Sequence, residues 1–207
     1  RVFFGQRSAS ASTSDFSRES LERFVGETCA LAQAVVEDPV SGLPEPGQFA
    51  TDFPELNIHD STKLQTDQQI DLALRAERAA FAADSRITNS EGGECDSSSG
   101  RIILANSHGF VGHYANSSFS LSVSPIASDA AGMQRDYWYG ANRAFAKLES
   151  PEAIGREATR RTVRKLGARK VSTCRVPVIF DPEVAGSLLS HLCSALSGYA
   201  LYKGASF

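Results

Sequence analysis

The chain contains one methionine, one tryptophan and only four cysteines in 207 residues. Cys29, Cys95, Cys174 and Cys193 are far apart and form no C-x-x-C pair. A disulfide framework needs a short, Cys-dense chain, so reduced thiols and a cytoplasmic setting are expected instead. No apolar run approaches the roughly 20 residues of a membrane-spanning helix, and no membrane partner is expected. Net charge is only −3, which gives no global attraction to nucleic acid or anionic lipid. An initiator methionine is also lacking: the chain opens on the strand-like "RVFF" and closes on "KGASF". The expectation is an internal segment of a longer chain.

What is present suffices for a sizeable core, since 42% of residues are hydrophobic. Charge is uneven. Residues 15–60 hold ten acids against two bases, whereas residues 156–175 hold eight bases against one acid. Four of the eight prolines (Pro39, Pro44, Pro46, Pro54) fall in residues 38–60, which reads as an extended connection.

Before that connection, residues 1–13 read as strand material. Residues 15–38 read as a helix, with Leu21, Phe24, Val25, Cys29, Ala32 and Val36 at helical spacing. After it, Thr66 and Gln69 match a capping box for a helix through about Ala83, with Ile70, Leu74 and Phe81 inward. Residues 86–141 form a β-rich block. In "SFSLSVS", residues 118–124, Phe119, Leu121 and Val123 alternate with serine, which predicts one packed and one polar face. "RIILANSHGF" predicts a buried strand entering a turn with Gly109 at positive φ, and "MQRDYWYGANRAF" another strand. Ser150 and Pro151 should open a helix that Gly167 ends. "VPVIF" predicts a short strand. Asp181 and Pro182 should open a last helix that Gly198 stops. Strands and helices in this order predict an α+β fold: a largely antiparallel sheet with packed helices, then the start of a second, C-terminal domain. The expected divisions are residues 1–60, the end of an N-terminal α/β part with the Pro-rich connection; 61–172, a central α+β region; and 173–207, the C-terminal start.

Candidate chemistry is sparse. On the last helix Val184, Leu188, Leu192 and Leu196 share one arc with Ala185 and Leu189, and His191 lies at its edge. His191 and Cys193 are about 200° apart on the wheel, so they cannot grip one ion together. His108 lies in a turn whose Asn, Ser and Gly are expected for backbone reasons. Glu91 and Glu94 read as a solvated loop. On the 151–166 helix, Arg156, Arg160, Arg161, Arg164 and Lys165 fill one arc, read as a solvated basic face. A nucleic-acid-binding module through that face is one alternative, but neither interleaved aromatics nor a nucleic-acid motif accompanies it.

The order of "RITNSEGGE", "ANSHGFVGHY", "SLSV", "MQRDYWY", "SPEAIGREATRRTVRKLGARKVST" and "VPVIFDPEVAGSLLSHLCSALSG" resembles the PmbA (TldE) branch of the TldD/PmbA family, over essentially the whole chain. The resemblance implies a cytosolic metalloprotease assembly acting on small unfolded peptides. Its TldD-type subunit carries His-Glu-x-x-x-His; PmbA-type subunits share the fold without the motif. The matching positions here are His191, Leu192 and Leu196. The implied role is a non-catalytic subunit without a cofactor of its own. Zinc would sit in a TldD-type partner, in a hetero-oligomer or an assembly with itself, with unfolded peptide as substrate and no nucleic acid. Glu91, Asn106, Ser107, Gly109 and Asp136 fall within the matching motifs without an implied role. A stand-alone peptidase with active residues beyond Phe207 is the other alternative.

Overall fold

A computed structural model describes residues 1–206, in two compact units: Arg1–Leu166, and a second from Gly167 onward. The first unit starts with a two-stranded hairpin, β1 (Val2–Phe4) and β2 (Arg7–Ala9), turned at Gly5 with φ 60°. Helix α1 (Arg18–Ala34) packs on it, anchored where Arg7 Nη1 donates to the Gln33 carbonyl at 3.0 Å. Only Thr28 and Ala32 of α1 are buried, and Val36 lies beyond the helix and is exposed. The apolar spacing of residues 21–36 therefore overstates its inner face, because a two-stranded hairpin offers little surface to cover it.

Helix α2 (Thr66–Ala83) begins one residue earlier than the expected box: Gln65 is the N-cap, and its reciprocal partner is Gln68. Ile70, Leu74 and Phe81 are not the inward face. They are 40–52% exposed, and Ala76 and Ala80 are buried in their place. The reason is backbone proximity. A Cβ built on Gly155 would lie 2.3 Å from the Ala76 carbonyl oxygen and 2.9 Å from the Ala80 nitrogen. One built on Gly93 would lie 2.6 Å from the Ala73 oxygen. Only small residues fit a seam this close, so the large apolar side chains of α2 turn outward.

Four antiparallel strands form the main sheet: β3 (Ile87–Ala105), β4 (Val111–Asp129), β5 (Gly132–Arg135) and β6 (Trp138–Asn142). Strand β4 is central, pairing β3 along its length on one side and β5 and β6 on the other. The strand expected in "MQRDYWYGANRAF" is thus two short strands, broken at Asp136–Tyr137. Phe119, Leu121 and Val123 are buried on one face of β4, with serines alternating opposite. Helix α3 (Pro151–Val163), capped by Ser150, lies on that face with α2, and Ile154 and Ala158 join Ala76, Leu121 and Val123 in the core. Thr159 Oγ1 donates to the Ala80 carbonyl at 2.9 Å, which satisfies a hydroxyl buried in the seam.

The distal half of the β3–β4 hairpin departs from expectation. Ile102, Ile103 and Leu104 are exposed, not buried, because neither α2 nor α3 reaches them. In the second unit, "VPVIF" forms no strand and Ile179 is 97% exposed. A strand exists only as a paired element, and none of the described residues pairs with this stretch. Helix α4 (Pro182–Ala195) is capped by Asp181 as expected. Gly198 does not stop it: α4 ends at Ala195, and Ser197 caps a further short helix, α5 (Gly198–Tyr202). Among the described residues, no helix is long and apolar enough to cross a membrane.

The seam gives a sharp test. Gly155→Ala should destabilise the protein by about 1–3 kcal/mol through overpacking. Gly26→Ala, in α1 with open space at its Cβ position, should stabilise by about 0.5–1 kcal/mol through helix propensity. Urea unfolding with matched m-values measures both, and equal effects would contradict the close seam.

Candidate functional site

Two places in the first unit gather polar chemistry. One lies where α3 crosses the break between β5 and β6. Asp136 accepts from the Tyr137 N–H at 2.9 Å, and Lys165 Nζ sits 3.0 Å from its Oδ2. Arg161 Nε lies 4.0 Å from the same oxygen, and the Arg161 guanidinium stacks 4.7 Å above the Trp138 ring. Burial raises the Asp136 carboxyl, but hydrogen bonds from Lys165 and the Tyr137 N–H, with the charges of Lys165 and Arg161, outweigh it and hold it below the ordinary carboxylate range. Alongside, Arg135 pairs with Glu91. Glu91 lies within β3, at the register shift between Ser90 and Gly93, and not in the expected solvated loop.

This arrangement corrects the reading of α3 as a helix with one solvated basic face. Arg156, Arg160 and Arg164 face solvent, but the Arg161 side chain is only 15% exposed and Lys165 reaches back to Asp136. A cation that far round the wheel finds a carboxylate on the sheet below it.

The second place is the distal hairpin with the Pro-rich segment beside it. Asn106 Oδ1 accepts from the N–H groups of His108 and Phe110 at 3.0 and 3.2 Å, so Asn106 shapes the turn. Gly109 takes φ 86°, as its position in the turn requires. His108 Nδ1 donates to the Pro44 carbonyl at 3.3 Å, and the Phe49 and Phe53 rings pack on Phe110 with centroids 5.4 and 6.0 Å away. Ser107 lines a cavity of about 900 Å³ with Arg1, Phe3, Leu43 and Phe49. At the other end of this segment is a clasp between residues far apart in the chain. Buried Ser117 donates its hydroxyl to the Arg143 carbonyl at 2.6 Å and accepts from the Asp60 N–H at 2.8 Å. Asp60 Oδ2 accepts from the Phe145 N–H at 2.9 Å. Hydrogen bonds from Thr62, first its hydroxyl and then its N–H, followed by that of Phe145, hold the Asp60 carboxyl below the ordinary range. Serine alternation hid Ser117 among look-alikes; the only available signal was its place next to the Asn-Ser break in the pattern.

The structure therefore brings Asn106, Ser107 and Gly109 together at the hairpin tip, and Glu91 and Asp136 to one region through Arg135. In the second unit, His191 and Leu192 lie on α4 and Leu196 is its C-cap; all three are exposed. His191 Nδ1 donates to the Ser187 carbonyl at 2.6 Å, one turn back. All four cysteines are free thiols; burial, then the Asp96 charge, pushes the Cys95 thiol up. Among the described residues, no three His, Cys, Asp or Glu side chains converge as a metal would require.

The first unit's α+β architecture, with its long hairpin, matches known proteins. Residues 59–166 match the model of the PmbA/TldA metallopeptidase central domain, and residues 173–207 match that of the C-terminal domain. The chain belongs to this PmbA/TldD metallopeptidase family. It is 39% identical over 206 residues to the metalloprotease PmbA of Escherichia coli O157:H7, and 38% identical to a PmbA homolog of Haemophilus influenzae. Each match covers 100% of this chain and 46% of the relative, so the chain spans about half the length of the curated relatives it matches. Among solved structures, a candidate modulator of DNA gyrase from Bacteroides thetaiotaomicron superposes with a TM-score of 0.86 at 27% identity, covering 96% of this chain and 46% of that one. TldE from Thermococcus kodakarensis shares the fold, with a TM-score of 0.57 at 18% identity over 72% of this chain and 33% of that one. The family name implies a metal, yet the donor set at residues 191–196 does not fit one. The three motif positions offer one imidazole and two leucine side chains, and Cys193, about 200° round the helix from His191, cannot share an ion with it.

Asp136 yields a prediction with a defined sign. Its folded-state pKa is depressed, so its contribution is present above the unfolded-state pKa and is lost as pH falls through the folded value. Asp136→Asn should cost about 1–3 kcal/mol at pH 7 and flatten the loss of stability below about pH 4. Denaturant unfolding across pH 2.5–7 checks it; parallel pH profiles for both proteins would contradict the assignment.

Proposed function

We propose that this chain is part of a PmbA-type subunit that does not itself cleave peptide bonds. It pairs with a TldD-type subunit, which holds the zinc, in a cytoplasmic complex that processes small unfolded peptides. The observation that carries this reading is the donor set at positions 191, 192 and 196. Where the catalytic motif would place Glu and a second His, this chain has Leu192 and Leu196. Leucine can neither abstract a proton from water nor coordinate a metal. Family membership supports the protease context, and the PmbA relatives support the branch. The basic helix gives little to a nucleic-acid reading, because Arg161 and Lys165 are engaged with Asp136.

The test uses the full-length protein, alone and with the TldD-type subunit of the same genome. Alone it should hold less than stoichiometric zinc and leave a dye-labelled unfolded peptide intact. Together the pair should hold zinc and cleave. Leu192→Glu in the full-length protein should restore no cleavage, since it supplies a base without a second ligand. Zinc-dependent cleavage by the protein alone would overturn the reading in favour of a stand-alone peptidase.

A further inference from the structure

Strand β4 has an edge that is only partly used. Its register with β3 runs unbroken from Gly93↔Val123 to Ala105↔Val111. The Ser117 N–H leaves that ladder and donates to the Ile58 carbonyl at 3.0 Å. In a regular antiparallel strand, residues two apart turn their N–H and C=O groups the same way. Ala115, His113 and Val111 therefore present their backbone groups on the side Ser117 uses. Strand β6 reaches only Phe119–Val123 and β5 only Ile126–Asp129. Among the described residues, nothing hydrogen-bonds the backbone of Val111, His113 or Ala115 on that edge.

Residues 53–59 run beside this edge without closing on it. Asn57 takes φ 51°, a left-handed kink that brings only Ile58 to the strand. The gap between is a groove of about 560 Å³, with Arg101, His59 and His113 along it and Glu55 as its one carboxylate. It opens on one face into an apolar recess of about 230 Å³ walled by Phe53, Leu56, Ile102, Leu104 and Tyr114. Ile102 and Tyr114 are directly paired across the hairpin, as are Leu104 and Gly112, so the recess lies over one face. Arg101, paired with Ala115, belongs to the opposite face.

We propose that an extended peptide, apolar on one face and acidic on the other, docks in this groove and continues the β4 ladder from Ser117 toward Val111. Its backbone satisfies the open edge, an apolar side chain enters the recess under Phe53 and Leu56, and a carboxylate meets Arg101. Backbone pairing gives affinity and the alternating pockets give selectivity, as in other strand additions. The proposal rests on the peptide-processing reading and names the class of peptide held by this subunit.

The probes are dye-labelled hexapeptides binding the full-length protein, read by fluorescence anisotropy. One alternates leucine and glutamate; a second has lysine for glutamate; two more are N-methylated on one or the other alternate set of amides. The Leu-Glu peptide should bind, and the lysine version should bind at least about tenfold more weakly. One N-methylated set should lose binding and the other keep it, the signature of pairing along one edge. His113→Pro removes an outward N–H without touching the β3 ladder and should weaken binding about tenfold. Arg101→Glu should reverse the glutamate–lysine preference. No binding by any probe, equal loss from both N-methylated sets, or indifference to both variants overturns the proposal. If His113→Pro fails to fold, the N-methylated pair decides with the unaltered protein. Anisotropy reads docking without cleavage. A complex that binds at this edge but never cleaves refutes the peptide-processing reading alone; one that cleaves while binding ignores the edge refutes the docking alone.

Discussion

The first unit depends on the close approach of α2 and α3. Helices usually pack with axes about 8–10 Å apart, held off by their side chains. Here Gly155 offers no side chain, and a Cβ in its place would meet the Ala76 carbonyl at 2.3 Å. Because the pair is thin, both helices reach the Leu121–Val123 row of β4 together. The rest follows from that placement. Thr159 finds the Ala80 carbonyl across the seam, Ile154 reaches over Gly140, and the last turn of α3 with the turn that follows brings Arg161 and Lys165 to Asp136. Held further apart, the helices would leave those hydroxyl and carboxylate groups without partners in a partly buried space, at a cost of about 1–3 kcal/mol for each.

The residues that match family motifs in the first unit sit mainly at joints of the chain. Asn106 and Gly109 form the hairpin turn, Glu91 stands at a register shift in β3, and Asp136 occupies the break between β5 and β6. Each changes the direction of the backbone or fixes it with hydrogen bonds. Their arrangement offers no nucleophile with a base beside it.

Local rules carried the sequence reading a long way. The alternation of Phe119, Leu121 and Val123 with serine, the Ser150–Pro151 and Asp181–Pro182 helix starts and the Gly109 turn all stand as expected. These features depend on a few neighbouring residues. The misreadings concern what lies opposite. Ile70, Leu74 and Phe81 have helical spacing, but the seam admits alanine, so hydrophobicity alone chose the wrong face. Ile102–Leu104 read as buried because apolar runs usually are, yet here they extend past the helices. Lys165 and Arg161 read as solvated because Asp136 is 25 residues away in sequence from the nearer of them. The Asp60–Ser117–Arg143 clasp joins three distant segments, and no local pattern announces it.

The β3–β4 hairpin also has the proportions of a lever. Its two strands are 19 residues each, and only the basal half rests on helices. From Ser117 to the tip the arm measures about 30 Å at the usual strand rise. A rotation of ten degrees about the clasp would swing the tip by about 5 Å. A small change in how Asp60, Ser117 and Arg143 grip one another would thus be amplified at Asn106–Gly109. His108 and Phe110 tie the Pro44–Phe53 stretch to the arm. Buried Ser117, half-buried Asp60 and the exposed Arg143 therefore fix how the distal half of the hairpin leaves its base.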